Sequence, residues 1–191
     1  MACILFSRPD HDVTLSYLFY YSKELVQLSD DLGHRTLNKE RVDASKQNII
    51  KMIRQHKPHF VVFNGHGSED EIFGYNNEMI ISSSQNPETL SNTITYALTC
   101  SSAKGLGPKS VEQGTISFIG YEYEFTLAKD SSREAVPSKD KIAKLFLEPS
   151  NILVSSLLRG SSVHDSIAKA KKKMMDNIWF LNTTNKFPEA S

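Results

Sequence analysis

His59-Phe60-Val61-Val62-Phe63-Asn64-Gly65-His66-Gly67-Ser68 is an apolar run that ends at a histidine held between two glycines. Four consecutive strand-favouring residues, opened by Pro58 and closed by Gly65, predict a β-strand. A second stretch ends in the same way: Thr93-Ile94-Thr95-Tyr96-Ala97-Leu98-Thr99-Cys100-Ser101-Ser102-Ala103. In a parallel sheet, residues just past the carboxyl ends of neighbouring strands converge on one crevice. A thiol and an imidazole meeting there make a nucleophile and a general acid/base.

Working outward, residues 2–6 form a short apolar run closed by Ser7-Arg8-Pro9-Asp10, which predicts a first strand. Residues 14–28 carry Leu15, Leu18, Phe19, Leu25, Val26 and Leu28 at helical spacing, with Asp12 or Thr14 as cap. A short second strand is expected at 34–37, and a second helix at 43–56 with Ile49, Ile50, Met52 and Ile53 inward. After His66 the pattern predicts a small hairpin, 71–74 with 79–82, around Tyr75-Asn76-Asn77. A helical turn from Pro87 precedes the strand that leads to Cys100. A short helical segment lies in 104–113, then an apolar strand over 115–121. Residues 128–139 read as a polar loop, followed by helices over 141–159, which Pro149 would split, and 162–180.

This order predicts an α/β fold in three layers: a mostly parallel central sheet flanked by helices, with a small hairpin after the histidine. One domain is expected over 1–181, with 182–191 as a C-terminal tail. No internal repeat or linker stands out.

The 191 residues include 22 basic and 22 acidic side chains, so no net field steers the chain to nucleic acid or an anionic membrane. Cys3 and Cys100 do not make a disulfide framework, which fits a reducing cytoplasm. The first ten residues lack a basic region and a long apolar core, so no signal peptide is expected, and no apolar run is long enough to span a bilayer.

A free cysteine at a buried strand end is most often a small hydrophobe. Around Cys100, however, Ser101, Ser102 and Ala103 leave room for a substrate backbone, and the histidine lies at the matching place on another strand. Glycines on both sides of His66 let the chain turn closely and expose the Gly67 N–H. Together the Gly67 and Cys100 amides would suit an oxyanion hole. His66 and Cys100 lack the further ligands that zinc needs, so no metal and no cofactor is expected. Gly65-His66-Gly67 is no nucleotide fingerprint, because the later glycine is missing. The basic run Lys169, Lys171, Lys172 and Lys173 reads as a solvated helix face, and Met174, Met175, Ile178 and Trp179 as core or docking residues.

Asn64-Gly65-His66-Gly67-Ser68 after its apolar run resembles the His-Gly motif of the caspase-like cysteine peptidases (clan CD). Leu98-Thr99-Cys100-Ser101-Ser102-Ala103 resembles their cysteine motif, and is closest in look to separases and bacterial CHAT peptidases. Gly114-Thr115-Ile116-Ser117-Phe118-Ile119-Gly120-Tyr121 is similar to the next core strand of that family. The likeness covers residues 60–124 by motif and the flanking elements by order. It implies a thiol peptidase with a Cys100–His66 dyad and Gly67 and Cys100 as oxyanion donors. No third carboxylate is required.

The resemblance also implies that an acidic residue beyond that core strand would select Arg or Lys before the cut. Counted from Gly120 this is Glu124. Glu122, two residues away, competes for the role, and Asp70 near His66 is a weaker candidate. Leu98 stands where metacaspases carry an aspartate, so their kind of pocket is not expected. The expected substrate is an extended protein segment, and relatives of this look often serve bacterial defence or cell-death pathways. A chain this short is expected to depend on an activating protein partner or on self-association. Two other readings stand beside this one: an inactive caspase-like module that binds or regulates another protein, and a flavodoxin-like small-ligand domain, disfavoured by the lack of glycine in Ser7-Arg8-Pro9-Asp10.

Overall fold

Three apolar runs become the centre of the sheet in a computed structural model that describes residues 1–183. They are β1 (Cys3–Arg8), β3 (Phe60–Asn64) and β6 (Ile94–Leu98), the first two buried along their whole length. β2 (Arg35–Glu40) and β7 (Ser117–Ile119) complete a sheet of order β2-β1-β3-β6-β7, and every pairing in it is parallel. The predicted hairpin forms beside it from β4 (Glu71–Phe73) and β5 (Met79–Ser82).

Side-chain alternation sorts the two faces of the sheet. Leu5, Val61, Phe63 and Ala97 point into a core with Ile49 and Ile53 of α3 (Lys46–His56), Ile72, Ile80 and Ile81 of the hairpin, and Leu106 of α4 (Leu106–Glu112). The other face carries α1 (Val13–Tyr21), which packs on β1 and β3, and α2 (Lys23–Asp31), whose Ser29 meets Thr36 of β2 at 2.8 Å. Helices thus cover both faces of a parallel sheet, as the α/β pattern predicts.

The expected helix over 14–28 is two helices, and buried Arg8 is the reason. Its Nη2 takes the Phe19 carbonyl at 2.6 Å and its Nε donates to Ser22 at 2.8 Å. The Phe19 carbonyl is thereby drawn out of the helical ladder, and Ser22 starts the next helix. Arg8 is balanced by Glu40 at 3.1 Å, which explains why β2 runs on to Glu40 instead of stopping at 37.

The chain divides into two compact units, Met1–Phe125 and a second that starts at Thr126. The second holds α5 (Lys141–Leu158) and α6 (Val163–Thr183), an antiparallel pair capped at its start by Asp140, whose carboxylate accepts from the Ile142 and Ala143 amides. Pro149 does not split α5. Proline has no N–H for the carbonyl four residues back, and Asn177 Nδ2 supplies that carbonyl, Leu145, with a donor at 2.7 Å. Lys173 pairs with Glu148 at 3.1 Å beside it. Met174, Met175, Ile178 and Trp179 are exposed, Trp179 at 69%, so they are not core. α6 also includes Asn182 and Thr183, where a tail was expected; residues 184–191 lie outside the described residues. No helix among the described residues is long and apolar enough to cross a membrane.

Candidate active site

β3 and β6 run in parallel with Asn64 opposite Leu98, and the Gly65 N–H donates to the Leu98 carbonyl at 3.3 Å. The pairing ends there, and His66 and Cys100 each lie two residues beyond it, at the same end of the sheet. Val61 and Phe63 face α3, so alternation along β3 turns His66 to the opposite face, the one covered by α1. Cys100 is partly exposed and free, whereas Cys3 is buried in β1.

His66 confirms its direction by its partner. Its Nε2 lies 2.6 Å from Oδ2 of Asp12, the N-cap of α1, and both side chains are 38% exposed. The other carboxylate oxygen of Asp12 accepts from the Leu15 N–H at 2.8 Å. Burial alone would raise the Asp12 carboxyl. The Leu15 amide, the His66 hydrogen bond and the electrostatic attraction of His66 and His11 outweigh it and hold the group below its ordinary value. An ionised carboxylate on Nε2 fixes the tautomer with the proton on that nitrogen and leaves Nδ1 as the basic atom.

His11 adds a second layer. Its ring stands edge-on to His66 with centroids 6.4 Å apart, and edge-on to Tyr75 at 5.3 Å. Its Nδ1 accepts from the Asn76 N–H at 3.2 Å, and Asp10 pairs with Arg41 at 3.2 Å. The segment after β1 is therefore held at three successive residues.

The Gly67 amide is oriented by its neighbours. Phe73 donates to the His66 carbonyl at 3.0 Å and Ser68 donates to Glu71 at 2.9 Å. Between these bonds Gly67 turns its N–H to the side where Gly65 already reaches β6. Among the described residues neither the Gly67 nor the Cys100 N–H has an acceptor. A Cβ on Gly67 would lie 2.8 Å from Thr99 Cβ and 3.0 Å from the Glu71 carbonyl, so only glycine fits.

The turn after Cys100 is strained and braced. Ser101 has φ of 53°, the left-handed region, at a cost of roughly 1–2 kcal/mol for a residue with a Cβ. Thr99 and Ser102 share a hydroxyl bond at 2.7 Å beneath it. Ser101 and Ala103 donate to the carbonyls of Tyr123 and Tyr121, both at 3.1 Å. This pins the strip that carries Glu122 and Glu124 to the cysteine turn. Both glutamates are exposed, and neither forms an ion pair among the described residues. The Asp70 carboxylate accepts from Ser83 Oγ at 2.7 Å, tying the loop after His66 to the end of the hairpin. Lys104 and Glu69 pair across the same junction.

The sequence reading missed Asp12 as a site residue, seeing in it only a helix cap. The available signal was its place just past β1, the strand that lies beside β3. Among the described residues no group of three His, Cys, Asp or Glu side chains converges to hold a metal ion. No protein-family model matches the chain, and no curated protein matches it in sequence.

Proposed function

We propose that the chain is a caspase-like cysteine endopeptidase in which Cys100 is the nucleophile and His66 the general acid/base. The observation that supports this reading is an imidazole fixed by a carboxylate two residues past the end of β3, with a part-exposed cysteine two residues past the end of the neighbouring strand β6. His66 Nδ1 takes the thiol proton as the sulfur attacks the scissile carbonyl carbon. The carbonyl oxygen gains the negative charge and is held by the Gly67 and Cys100 amides. The C–N bond then breaks, and Nδ1–H gives its proton to the departing amine. Water, deprotonated by the same nitrogen, attacks the thioester and releases the acid and the free thiol. Asp12 acts through His66, as a positioning residue that also stabilises the imidazolium.

The substrate in this proposal is an extended protein segment. Glu124, or Glu122 beside it, favours Arg or Lys before the cut by a charge-assisted hydrogen bond. A cytoplasmic setting and activation by a protein partner or a second copy belong to the same proposal.

The strand order β2-β1-β3-β6-β7 is also that of flavodoxin-like ligand domains. In those, an anion sits at the helix N-terminus after the first strand. Here the Asp12 carboxylate occupies the N-terminus of α1 and would repel one.

A cleavage screen over peptides ending in Arg, Lys, Asp and Asn, on wild type and Cys100→Ala, tests the proposal. Cleavage after Arg or Lys that disappears in the variant supports it. Absence of cleavage, together with slow native alkylation of Cys100 that His66→Ala does not change, favours a binding module.

A further inference from the structure

Two adjoining clefts run along α3, and none of His66, Cys100 and Asp12 lines either. The larger, about 630 Å³, is bordered by Lys46, Lys51 and Arg54 over a floor that includes Ile50, and no carboxylate lines it. Arg54 also borders the second, about 450 Å³, which adds Lys57 and a single carboxylate, Glu88. In a chain whose charges cancel overall, this is a local excess of cations.

These cations are not spent on the fold. Among the described residues none of the four enters an ion pair. The Lys46 ammonium has the Met79 sulfur at 3.9 Å, while Glu78 is engaged by the Lys46 backbone N–H at 2.9 Å. Lys46, Ile50 and Arg54 recur at helical spacing and so share a face of α3, and Lys57 follows directly after the end of the helix. Eight residues separate Lys46 from Arg54, roughly 12 Å along the axis. A compact anion meets one or two of these groups. An extended chain, which places same-side residues roughly 7 Å apart, meets all of them.

We propose that this groove docks an extended acidic peptide segment of a partner protein. A nucleic-acid strand fits less well, because no aromatic side chain lines either cleft to stack a base.

Fluorescence anisotropy with a labelled peptide of alternating Glu and Ser tests this. The peptide holds no Arg or Lys, so the result does not depend on the peptidase reading. Wild type is expected to bind it at least about tenfold more tightly than the matched Gln-Ser peptide, and more weakly as salt rises. Lys51→Glu with Arg54→Glu should abolish that preference without lowering the melting temperature. On unaltered protein, the peptide should protect Lys46 and Lys51 from acetylation. Equal affinity for both peptides, no binding at all, binding unchanged in the double variant, or unprotected lysines would each overturn the proposal. So would a single-stranded oligonucleotide that binds more tightly and protects the same lysines.

Discussion

Asp12 Oδ2 and His66 Nε2 lie 2.6 Å apart, joining the N-cap of α1 to the end of β3 across 54 residues of sequence. The contact sits where the strand order reverses, between β1 and β3, the place at which open α/β sheets gather their reactive groups. One carboxylate does two jobs there: one oxygen caps a helix, the other fixes an imidazole.

Those two jobs can be separated. Asn caps a helix about as well as Asp but carries no charge. Asp12→Asn is therefore expected to keep the cap and lose near neutral pH only the stability that the carboxylate charge adds, while kcat/KM for peptide cleavage falls at least about a hundredfold, the lower end of what a positioned acid/base contributes. Asp12→Ala should show the same loss and also about 1 kcal/mol of instability from the missing cap. Equal activity in wild type and Asp12→Asn would remove Asp12 from the mechanism.

The depressed Asp12 carboxyl also predicts how stability depends on acid. A group whose folded pKa lies below its unfolded value stabilises the fold above the unfolded value, near ~3.9 for Asp. That contribution is lost as pH falls through the folded pKa. The wild-type advantage in melting temperature over Asp12→Asn should therefore be present at pH ~5 and shrink as pH falls below ~4. An advantage that does not shrink below ~4 would show that Asp12 is not held as an anion by Leu15 and His66.

Glu122 and Glu124 stand on one strip, tied to the cysteine turn through Tyr121 and Tyr123. If Glu124 receives the side chain before the cut, Glu124→Gln removes a charge-assisted bond worth roughly 1.5–3 kcal/mol. kcat/KM for peptides ending in Arg should then fall about tenfold or more. Glu122→Gln should change it less than threefold. The reverse pattern assigns the pocket to Glu122.

The central strands, and the places of His66 and Cys100 just past two of them, were legible because they depend on local pattern: an apolar run followed by small and polar residues. Long-range polar contacts were not. The helix break at Ser22 comes from the guanidinium of Arg8, and the intact helix at Pro149 from the amide of Asn177. Asp12 reads as a helix cap from sequence and is one; that the same carboxylate meets His66 follows only when β1 is seen beside β3. Exposure of Met174, Met175 and Trp179 is likewise decided by which face of α6 meets α5, and no spacing rule states that.

Asn64 is a polar side chain buried among apolar ones in the sheet. It ends β3 two residues before His66, is 4% exposed, and its Nδ2 has no partner among the described residues. A buried donor without an acceptor costs roughly 1–3 kcal/mol. Replacing it with an apolar side chain of similar volume removes that cost, so Asn64→Leu should raise stability to urea by about 1 kcal/mol. Its register partner is Leu98, and it lies on the same side of the sheet as Phe6 and Val62, so an apolar neighbourhood is already in place. Because the change sits directly beneath Gly65 and His66, the same variant should lose peptide cleavage if the free amide helps to set that turn. A variant less stable than wild type would show that the Asn64 amide is satisfied in solution.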